Sequence, residues 1–297
     1  MLRSLVGLLF CMALVQPVRA ADAISVSTRD AILPLPKIMG GIEADPEAWP
    51  WVVALLTPGS GSDLYFDQYC AGVLIDDSWV LTAAHCVSGL AANEVEVAVG
   101  VFDLRDPSNV RTPVAAIRVH PRYNPTTLLN DVALLRLSGA TQAPTVKLYS
   151  GASREALPEN LLGQYLTAIG WGLADGSSLW FWPDRLRQVY LPVVPASYCN
   201  NSYLYPLQSS QFCAGFQAGK DSCIGDSGGP LVANVDGEWV HAGIVSYGAP
   251  CDVYSGWYGV YTRTSAYVDF IKKYVPKARF TRPAGPPLPF LFLLIDR

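Results

Sequence analysis

Three side chains that could together perform nucleophilic catalysis lie in separate apolar segments of this 297-residue chain. Ser227 stands in the stretch GDSGGP, where the glycines permit a tight backbone that presents the hydroxyl outward and leaves amide N–H groups convergent. His85 ends the run LTAAH, and Asp131 opens the run DVALLRL. Alone, such a histidine is more often structural and such an aspartate is usually a turn residue. Their combination in the chain order His, Asp, Ser carries more weight than any one of them.

Two further aspartates stand close to Ser227 in the sequence. Asp226 directly precedes the serine, between a tight turn and apolar strands, where a buried carboxylate is costly unless it is paired. Asp221 lies six residues before the serine and follows Lys220, so it could be a solvated loop acid. From the residues alone, it is open which of the two acids, if either, assists the serine.

Short runs of β-branched and aromatic residues between turn signals predict the elements that position these side chains. Six runs precede the stretch 138–163, which contains Pro, Gly and Ser, and six follow it. Because no helical pattern separates the runs, they favour an all-β fold of two similar lobes. One amphipathic helix is expected at residues 266–275, where apolar side chains share a face. The runs are 49–56, 69–75, 79–85, 94–101, 110–119, 131–137, 164–171, 186–194, 211–215, 229–235, 238–247 and 259–264.

The first 20 residues are typical of a secretory signal peptide. Arg3 precedes an apolar run at 5–15, which is about half the length that spans a bilayer. The sequence Val18-Arg19-Ala20 then places small or modest side chains where a signal peptidase needs them. Of seven cysteines, Cys11 leaves with this segment. The remaining six predict three disulfides in an exported protein, and their number allows 15 pairings.

Composition excludes several function classes. The net charge is -4 and the longest basic block is Lys272-Lys273, so nucleic acid is not expected as a partner. The chain has three histidines, no C-x-x-C and no H-E-x-x-H, so we expect neither a metal nor a cofactor.

Residues 276–297 form a Pro-rich segment that ends in an apolar run at 288–295. The run is too short to span a bilayer. The segment is therefore interpreted as a disordered or surface-docked tail, with a membrane or secretion-sorting role as the alternative. The insert LWFWPD at 179–184 could recognise substrate or pack within its own loop, and Asn200 is a glycosylation site only in a host that glycosylates.

The motifs TAAHC, DVALL and GDSGGP, with IMGG from residue 38, resemble the trypsin-like serine proteases of the chymotrypsin fold. The resemblance extends from about residue 38 to residue 275. It implies two six-stranded antiparallel β-barrels, at about 38–145 and 146–265, with the active site between them. The helix 266–275 would follow, and a signal peptide 1–20 and an activation propeptide 21–37 would precede the domain.

The resemblance also implies a role for each residue of the motifs. Ser227 would attack the scissile carbonyl while His85 takes and later returns a proton, and Asp131 would orient His85. The backbone N–H groups of Gly225 and Ser227 would form the oxyanion hole. Ser246 would lie beside Asp131.

The primary specificity pocket follows from the same resemblance. Asp221 would form its floor and pair with a Lys or Arg side chain of the substrate, and Ser222 would add a hydrogen bond. Glycines at the pocket walls would leave room for a long basic side chain. The other substrate-binding residues implied are Ser246, Tyr247, Gly248 and Gly259.

Activation is implied to require cleavage between Lys37 and Ile38. The new α-amine of Ile38 would pair with Asp226, so the chain is expected to be made as a zymogen. Neither acid near Ser227 would then belong to the catalytic triad. Residues 21–37 contain no cysteine, so the propeptide would not stay tethered, and Met39 replaces the family's usual valine.

The family's disulfide pattern would pair Cys70 with Cys86, Cys199 with Cys213, and Cys223 with Cys251. Calcium is not predicted, because residues 100–110 lack the acidic pattern of the family's calcium loop. A sodium site near Tyr258 stays open.

The function implied is that of a secreted, monomeric serine endopeptidase. It would cleave protein or peptide substrates after Arg or Lys and would be bound by protein protease inhibitors. The alternative is a catalytically silent homologue that acts as a binding protein. Such homologues commonly lose one of the three catalytic residues, so the intact His85, Asp131 and Ser227 favour the enzyme.

Overall fold

The computed structural model describes residues 41–151, 161–173, 182–215, 222, 225–248 and 258–282. The predicted signal peptide, the propeptide and the tail beyond residue 282 lie outside these residues, as do Lys37, Ile38, Asp221, Cys223 and Cys251. The assignments made for them, and the limits of the predicted domains, stay predictions.

The described residues form fourteen strands, two short α-helices and two 3-10 helices. The strands are β1 (Ile42–Glu43), β2 (Val52–Leu56), β3 (Gln68–Asp76), β4 (Trp79–Thr82), β5 (Glu96–Val99), β6 (Thr112–Val119), β7 (Ala133–Leu137), β8 (Lys147–Leu148), β9 (Tyr165–Gly170), β10 (Arg187–Val194), β11 (Gln211–Ala214), β12 (Pro230–Val235), β13 (Glu238–Tyr247) and β14 (Gly259–Arg263). The helices are η1 (Ala92–Glu94), α1 (Ala196–Asn200), η2 (Thr264–Tyr267) and α2 (Val268–Tyr274).

Twelve of the strands build two antiparallel barrels. The first barrel is closed in the order β2-β3-β4-β7-β6-β5. The second follows the order β9-β10-β11-β14-β13-β12 and closes because β9 pairs with both β10 and β12. Strand β1 extends the second barrel beside β10, and β8 pairs in parallel with β13. The prediction of two six-stranded antiparallel barrels is confirmed.

Each of the twelve predicted runs coincides with one strand, because β-branched and aromatic side chains suit a pleated, buried surface. All five residues of β2 are buried, which explains why this strand appears in the sequence as a continuous apolar run instead of an alternating one. Most of the runs extend a few residues beyond their strands. Strand β4 ends at Thr82 before a turn, and the run 94–101 begins in η1.

The predicted C-terminal helix is shorter and less regular than expected, since it consists of η2 followed by the seven-residue α2. Its apolar face is buried as predicted: Tyr267, Ile271 and Val275 belong to the core that is continuous with the first barrel. The chain then stays packed against the protein as far as residue 282, with Ala278 and Thr281 buried. The N–H of Thr281 donates to the carbonyl of Leu148 (2.8 Å), and the N–H of Leu148 donates to the carbonyl of Arg279 (2.8 Å). The described part of the tail is therefore surface-docked.

Two disulfides lie in the described residues. One joins Cys70 on β3 to Cys86, and the other joins Cys199 on α1 to Cys213 on β11. These are two of the three pairs that the resemblance implied. No helix among the described residues has the length and apolar character needed to cross a membrane.

Candidate active site

Asp131 is a carboxylate of the candidate site whose burial is compensated by hydrogen bonds. It is fully buried immediately before β7 and accepts three hydrogen bonds. The donors are the Nδ1 of His85 (2.8 Å), the backbone N–H of His85 (2.8 Å) and the Oγ of Ser246 (2.5 Å). These donors offset the cost of burying the carboxylate. Since Nδ1 donates to Asp131, the lone pair of His85 lies on Nε2, where it can accept a proton.

The position of Asp131 follows from the loop that precedes it. Leu128 and Asn130 have positive φ angles of 52° and 56°, which turn the chain sharply into β7. The hydroxyl of Tyr267 donates to the side-chain oxygen of Asn130 (3.3 Å), so the C-terminal segment supports this loop. Ser246, on β13 of the second barrel, approaches the carboxylate from the other side, so both barrels hold Asp131.

His85 lies just beyond β4, in a turn fixed by the disulfide of Cys86 with Cys70 on β3. The ring is half-buried, with its Nε2 3.7 Å from the Sγ of Cys86. Among the described residues, Cys70, His85 and Cys86 form the one close group of atoms with metal-ligand types. Both sulfurs are consumed by the disulfide, so they cannot act as thiolate ligands.

The turn around Ser227 is fastened to both barrels. The carbonyl of Ser227 accepts from the N–H of Ala71 on β3 (2.7 Å), and the N–H of Gly228 donates to Val245 on β13 (2.9 Å). Gly228 has a φ of 77°, and a Cβ at this position would lie 2.3 Å from the Oγ1 of Thr82. Glycine is therefore required here for two independent reasons, backbone conformation and space.

The serine and the histidine are both partly exposed, and within the described residues no hydrogen bond joins their side chains. Catalytic hydrogen bonds are often long before substrate binds, so the separation is compatible with a working pair. The structure thus brings together His85, Asp131 and Ser246 and presents Ser227 on a turn shared by both barrels.

The backbone beside Ser227 has the features of an oxyanion hole. Among the described residues, the N–H groups of Gly225 and Ser227 donate to no acceptor. The carbonyl of Gly225 points elsewhere, since it accepts from the Nε2 of Gln68 (3.0 Å). Gly225 has a φ of 97°, and a Cβ there would lie 2.7 Å from the ring of Trp182. Gln68 and Trp182 therefore fix the conformation of this glycine, a role that the sequence did not indicate.

Asp226 is 1% exposed and lies against Gly170, the last residue of β9, and Gly172 just after it. Its Oδ1 accepts from the N–H of Gly172 (2.8 Å). A Cβ added at Gly170 or Gly172 would lie 2.2 or 2.4 Å from the carboxylate. The GWG sequence at 170–172 thus forms a backbone surface on which Asp226 packs, and we call it the glycine seat. Its glycines could have been recognised in the sequence as positions of close backbone approach.

The predicted specificity pocket is described in part. Ser222 and Tyr261 share a hydrogen bond between their hydroxyls (2.9 Å), and a Cβ at Gly259 would lie 2.5 Å from the Tyr261 hydroxyl. Tyr261 is fully buried and was not singled out from the sequence. Gly248 is exposed and a Cβ there would meet only Gly259, so both predicted wall residues face each other.

Aromatic side chains flank the cleft on two sides. Tyr247 packs edge-on against Tyr203 (5.3 Å between ring centres) and lines a cavity of about 100 Å³ with Leu129 and Tyr205. A larger cavity of about 370 Å³ lies beside Gly225, and its lining includes Tyr65, Phe66, Gln68, Trp171 and Trp182. Of the aromatic insert, Trp182 therefore borders the site, while Trp180 and Phe181 lie outside the described residues.

Comparisons with known proteins agree with this geometry. The family model described as Trypsin matches residues 38–271. Mouse tryptase is 34% identical over 253 residues, which cover 81% of this chain and 89% of the tryptase. Protein masquerade of Drosophila melanogaster is 33% identical over 260 residues, which cover 80% of this chain. The match covers 23% of masquerade, so this chain spans less than a quarter of that relative's length.

Proposed function

The chain belongs to the trypsin family of serine endopeptidases, as its motifs predicted, and we propose that it is a secreted zymogen whose active form cleaves peptide bonds after Arg or Lys. The observation that carries the proposal is the buried carboxylate of Asp131, which accepts from both the ring and the backbone of His85. This arrangement holds the ring in the tautomer that a general base needs. It also leaves Nε2 available to Ser227.

The reaction proposed is a two-step acyl transfer. The Oγ of Ser227 attacks the scissile carbonyl carbon while Nε2 of His85 takes the hydroxyl proton, and the carbonyl π electrons move to oxygen. The N–H groups of Gly225 and Ser227 stabilise this oxyanion, a contribution of about 3 kcal/mol per donor in comparable sites. His85 returns the proton to the leaving amine as the C–N bond breaks. A water molecule then attacks the acyl-serine through the same base, releasing the carboxylic acid and restoring Ser227.

Asp131 acts on this sequence through His85. When the ring becomes an imidazolium, the carboxylate 2.8 Å away stabilises the positive charge. Ser246 donates to the same carboxylate and keeps it oriented. No metal or cofactor takes part in the proposed mechanism.

The proposed specificity rests on Asp221 and on the residues of the predicted pocket that the structure describes. A carboxylate at the floor would pair with a guanidinium or ammonium group of the substrate. The Ser222–Tyr261 hydrogen bond and the glycines at 248 and 259 support the assignment, because they leave polar and narrow walls for an extended side chain.

Activation is proposed to follow cleavage after Lys37. The glycine seat at 170–172 supports this step, since it holds Asp226 directly beside the oxyanion backbone. Pairing of Asp226 with the new amine of Ile38 would fix the Gly225 peptide in its productive orientation. The partners proposed are protein substrates and protein inhibitors that present Arg or Lys, with the enzyme acting as a monomer and without nucleic acid.

The test is covalent labelling of the chain cleaved after Lys37 with an organophosphorus serine reagent, followed by peptide mass spectrometry. We expect stoichiometric labelling of Ser227 alone. The Ser227→Ala variant should take no label, and Asp131→Asn should react far more slowly while remaining folded. A wild-type chain that is correctly cleaved and folded yet takes no label would instead favour the catalytically silent homologue.

A further inference from the structure

One motif of the sequence takes no part in the proposed catalysis, the tripeptide NNS at 200–202, which has the form Asn-x-Ser. An asparagine in this context accepts N-linked oligosaccharides in secreted proteins, provided that x is not proline. The chain has one other sequence of the form Asn-x-Ser or Asn-x-Thr, NPT at 124–126, and its proline excludes it. Asn200 is therefore the only asparagine of the sequence that meets the rule.

The structure presents Asn200 in the way that an acceptor site requires. Asn200 is the last residue of α1 and is exposed. Its Oδ1 accepts from the backbone N–H of Leu207 (2.7 Å), whereas among the described residues its Nδ2 donates to no acceptor. Attachment of a sugar replaces one hydrogen of Nδ2 and leaves the carbonyl oxygen unchanged. The folded chain can therefore carry the sugar and keep the hydrogen bond to Leu207.

The segment that follows the acceptor is held in a defined turn. The disulfide of Cys199 with Cys213 anchors the end of α1 to β11. The N–H of Tyr203 donates to the carbonyl of Cys199 (3.0 Å), and the hydrogen bond of the Asn200 side chain closes the loop 201–206 at its far end. The attachment atom thus lies at the base of a short loop whose two ends are fixed.

The outer face of this part of the molecule is apolar. Leu204 is 87% exposed, and Tyr198 and Tyr205 are 49% and 46% exposed. We call these three residues the apolar rim, and each lies within five positions of Asn200 in the sequence. The inner face of the loop is packed, since the ring of Tyr203 lies against that of Tyr247 (5.3 Å between ring centres). Large apolar side chains that are exposed close together mark a surface that another group covers.

We propose that Asn200 carries an N-linked oligosaccharide and that this oligosaccharide covers the apolar rim. The proposal rests on the proposed secretion of the chain, because the sugar is attached in the secretory pathway. An oligosaccharide is bulky and solubilising, and its attachment atom lies beside the rim. These two properties favour it as the cover over a second copy of the chain.

The modification is a group transfer from a lipid-linked oligosaccharide diphosphate. The Nδ2 of Asn200 attacks the anomeric carbon of the first sugar, and a carbon–nitrogen bond forms. The bond from that carbon to the diphosphate oxygen breaks, and its electron pair leaves with the lipid diphosphate. Nδ2 loses one proton, so the product is a neutral amide whose carbonyl oxygen can still accept from Leu207.

The experiment uses the full chain carrying Ser227→Ala, which prevents self-cleavage, secreted by cultured animal cells. Its intact mass is measured before and after treatment with a peptide-N-glycosidase, and peptide mapping locates the asparagine that this enzyme converts to aspartate. We expect the mass of one oligosaccharide to be lost and the converted residue to be Asn200. Ser202→Ala should be secreted without the sugar. The matched control Ser202→Thr should retain it, because threonine also completes the motif.

A second measurement tests whether the oligosaccharide covers the apolar rim. Sedimentation velocity at several protein concentrations compares the Ser202→Ala chain with the Ser202→Thr chain, and both variants keep the side chain of Asn200. The sedimentation coefficient of the Ser202→Ala chain should rise with concentration, because the exposed rim associates, whereas that of the Ser202→Thr chain should stay constant. Adding Leu204→Ser to Ser202→Ala should reduce the rise. Equal behaviour of the sugar-free and sugar-bearing chains would overturn the covering role.

A parallel set of chains separates this inference from the proposed secretion. In these chains the signal peptide of another secreted protein replaces residues 1–20. If only the chains with the replaced signal reach the medium, the proposed secretion is contradicted, while the modification of Asn200 is still decided on the chains that were secreted. A secreted chain with an intact motif and an unmodified Asn200 would overturn the inference itself.

Discussion

Buried His241 makes the stability of this protein sensitive to mild acid. The side chain, on β13, is fully inaccessible to solvent, and burial lowers its pKa from 6.5 to about 3. Its Nδ1 lies 3.0 Å from the Oγ1 of Thr264, and within the described residues its Nε2 has no hydrogen-bond partner. Protonation in the folded state would place an unpaired charge in the core, so the fold keeps the ring neutral.

The sign of the effect follows from the two pKa values. The folded pKa lies below the unfolded one, so between about pH 6.5 and pH 3 the unfolded chain binds more protons. The contribution of His241 to stability is therefore fully present above about pH 6.5 and decreases as the pH falls through this window. Each pH unit changes the free energy by about 1.4 kcal/mol, so lowering the pH from neutral to 4.5 removes roughly 2 to 3 kcal/mol.

The assay is urea unfolding of the Ser227→Ala chain and of the same chain with His241→Gln, at several pH values from 7.5 to 4.5. The glutamine does not titrate and can still hydrogen-bond Thr264. We expect the free energy of unfolding of the His241 chain to fall by roughly 2 to 3 kcal/mol more than that of the variant. Acidic groups common to both chains cancel in this difference. Parallel pH dependences for the two chains would refute the reasoning.

Three further predictions concern the active site. Asp221→Ser should lower kcat/KM for Arg peptides at least about 100-fold, because the substrate cation loses its counter-charge. Equal turnover of Phe and Arg peptides by the unmodified enzyme would contradict the assignment of Asp221 to the pocket floor. Lys37→Gln should give a chain that an Arg-specific or Lys-specific protease cannot activate, and full activity of this variant at neutral pH would contradict the zymogen. Gly172→Ala should abolish most activity and destabilise the fold by about 1 to 3 kcal/mol, because its Cβ would lie 2.4 Å from the carboxylate of Asp226. The matched control is Gly139→Ala, which should leave activity intact, because a Cβ there meets nothing within 4 Å.

The sequence predicted the barrels well because each strand needs its own apolar run. β-Branched and aromatic residues between turn signals located all twelve barrel strands. The two-residue strands β1 and β8 and the five-residue α1 were missed, since so few residues carry no periodicity. The C-terminal helix was predicted about a turn too long because its first turn is 3-10.

The candidate site was predicted to a smaller extent from the residues themselves. The glycines around Ser227 indicated a tight turn that presents the serine outward, and the positive φ angles of Gly225 and Gly228 agree with that interpretation. The partners of Asp131 and the role of Ser246 came from the resemblance. Contacts between distant segments had no local signal: the ring of Trp182 against Gly225, the Gln68 amide on the Gly225 carbonyl, and Tyr261 against Gly259. Such contacts depend on how loops that are distant in the sequence pack together, and the residues of one short segment do not predict this packing.

The central claim is that His85, Asp131 and Ser227 act as one catalytic unit, and the most direct measurement is kcat for an Arg peptide in a set of triad variants. The chain cleaved after Lys37 is compared with His85→Ala, Ser227→Ala and the double variant. Each single substitution should lower kcat by about 10⁴- to 10⁶-fold. The double variant should be no slower than either single variant, because removing one residue of the unit already abolishes the contribution of the other. Asp131→Asn should lower kcat about 10⁴-fold, because the asparagine would hold His85 in the wrong tautomer. A His85→Ala chain within tenfold of the unmodified enzyme, or losses that multiply in the double variant, would contradict the account.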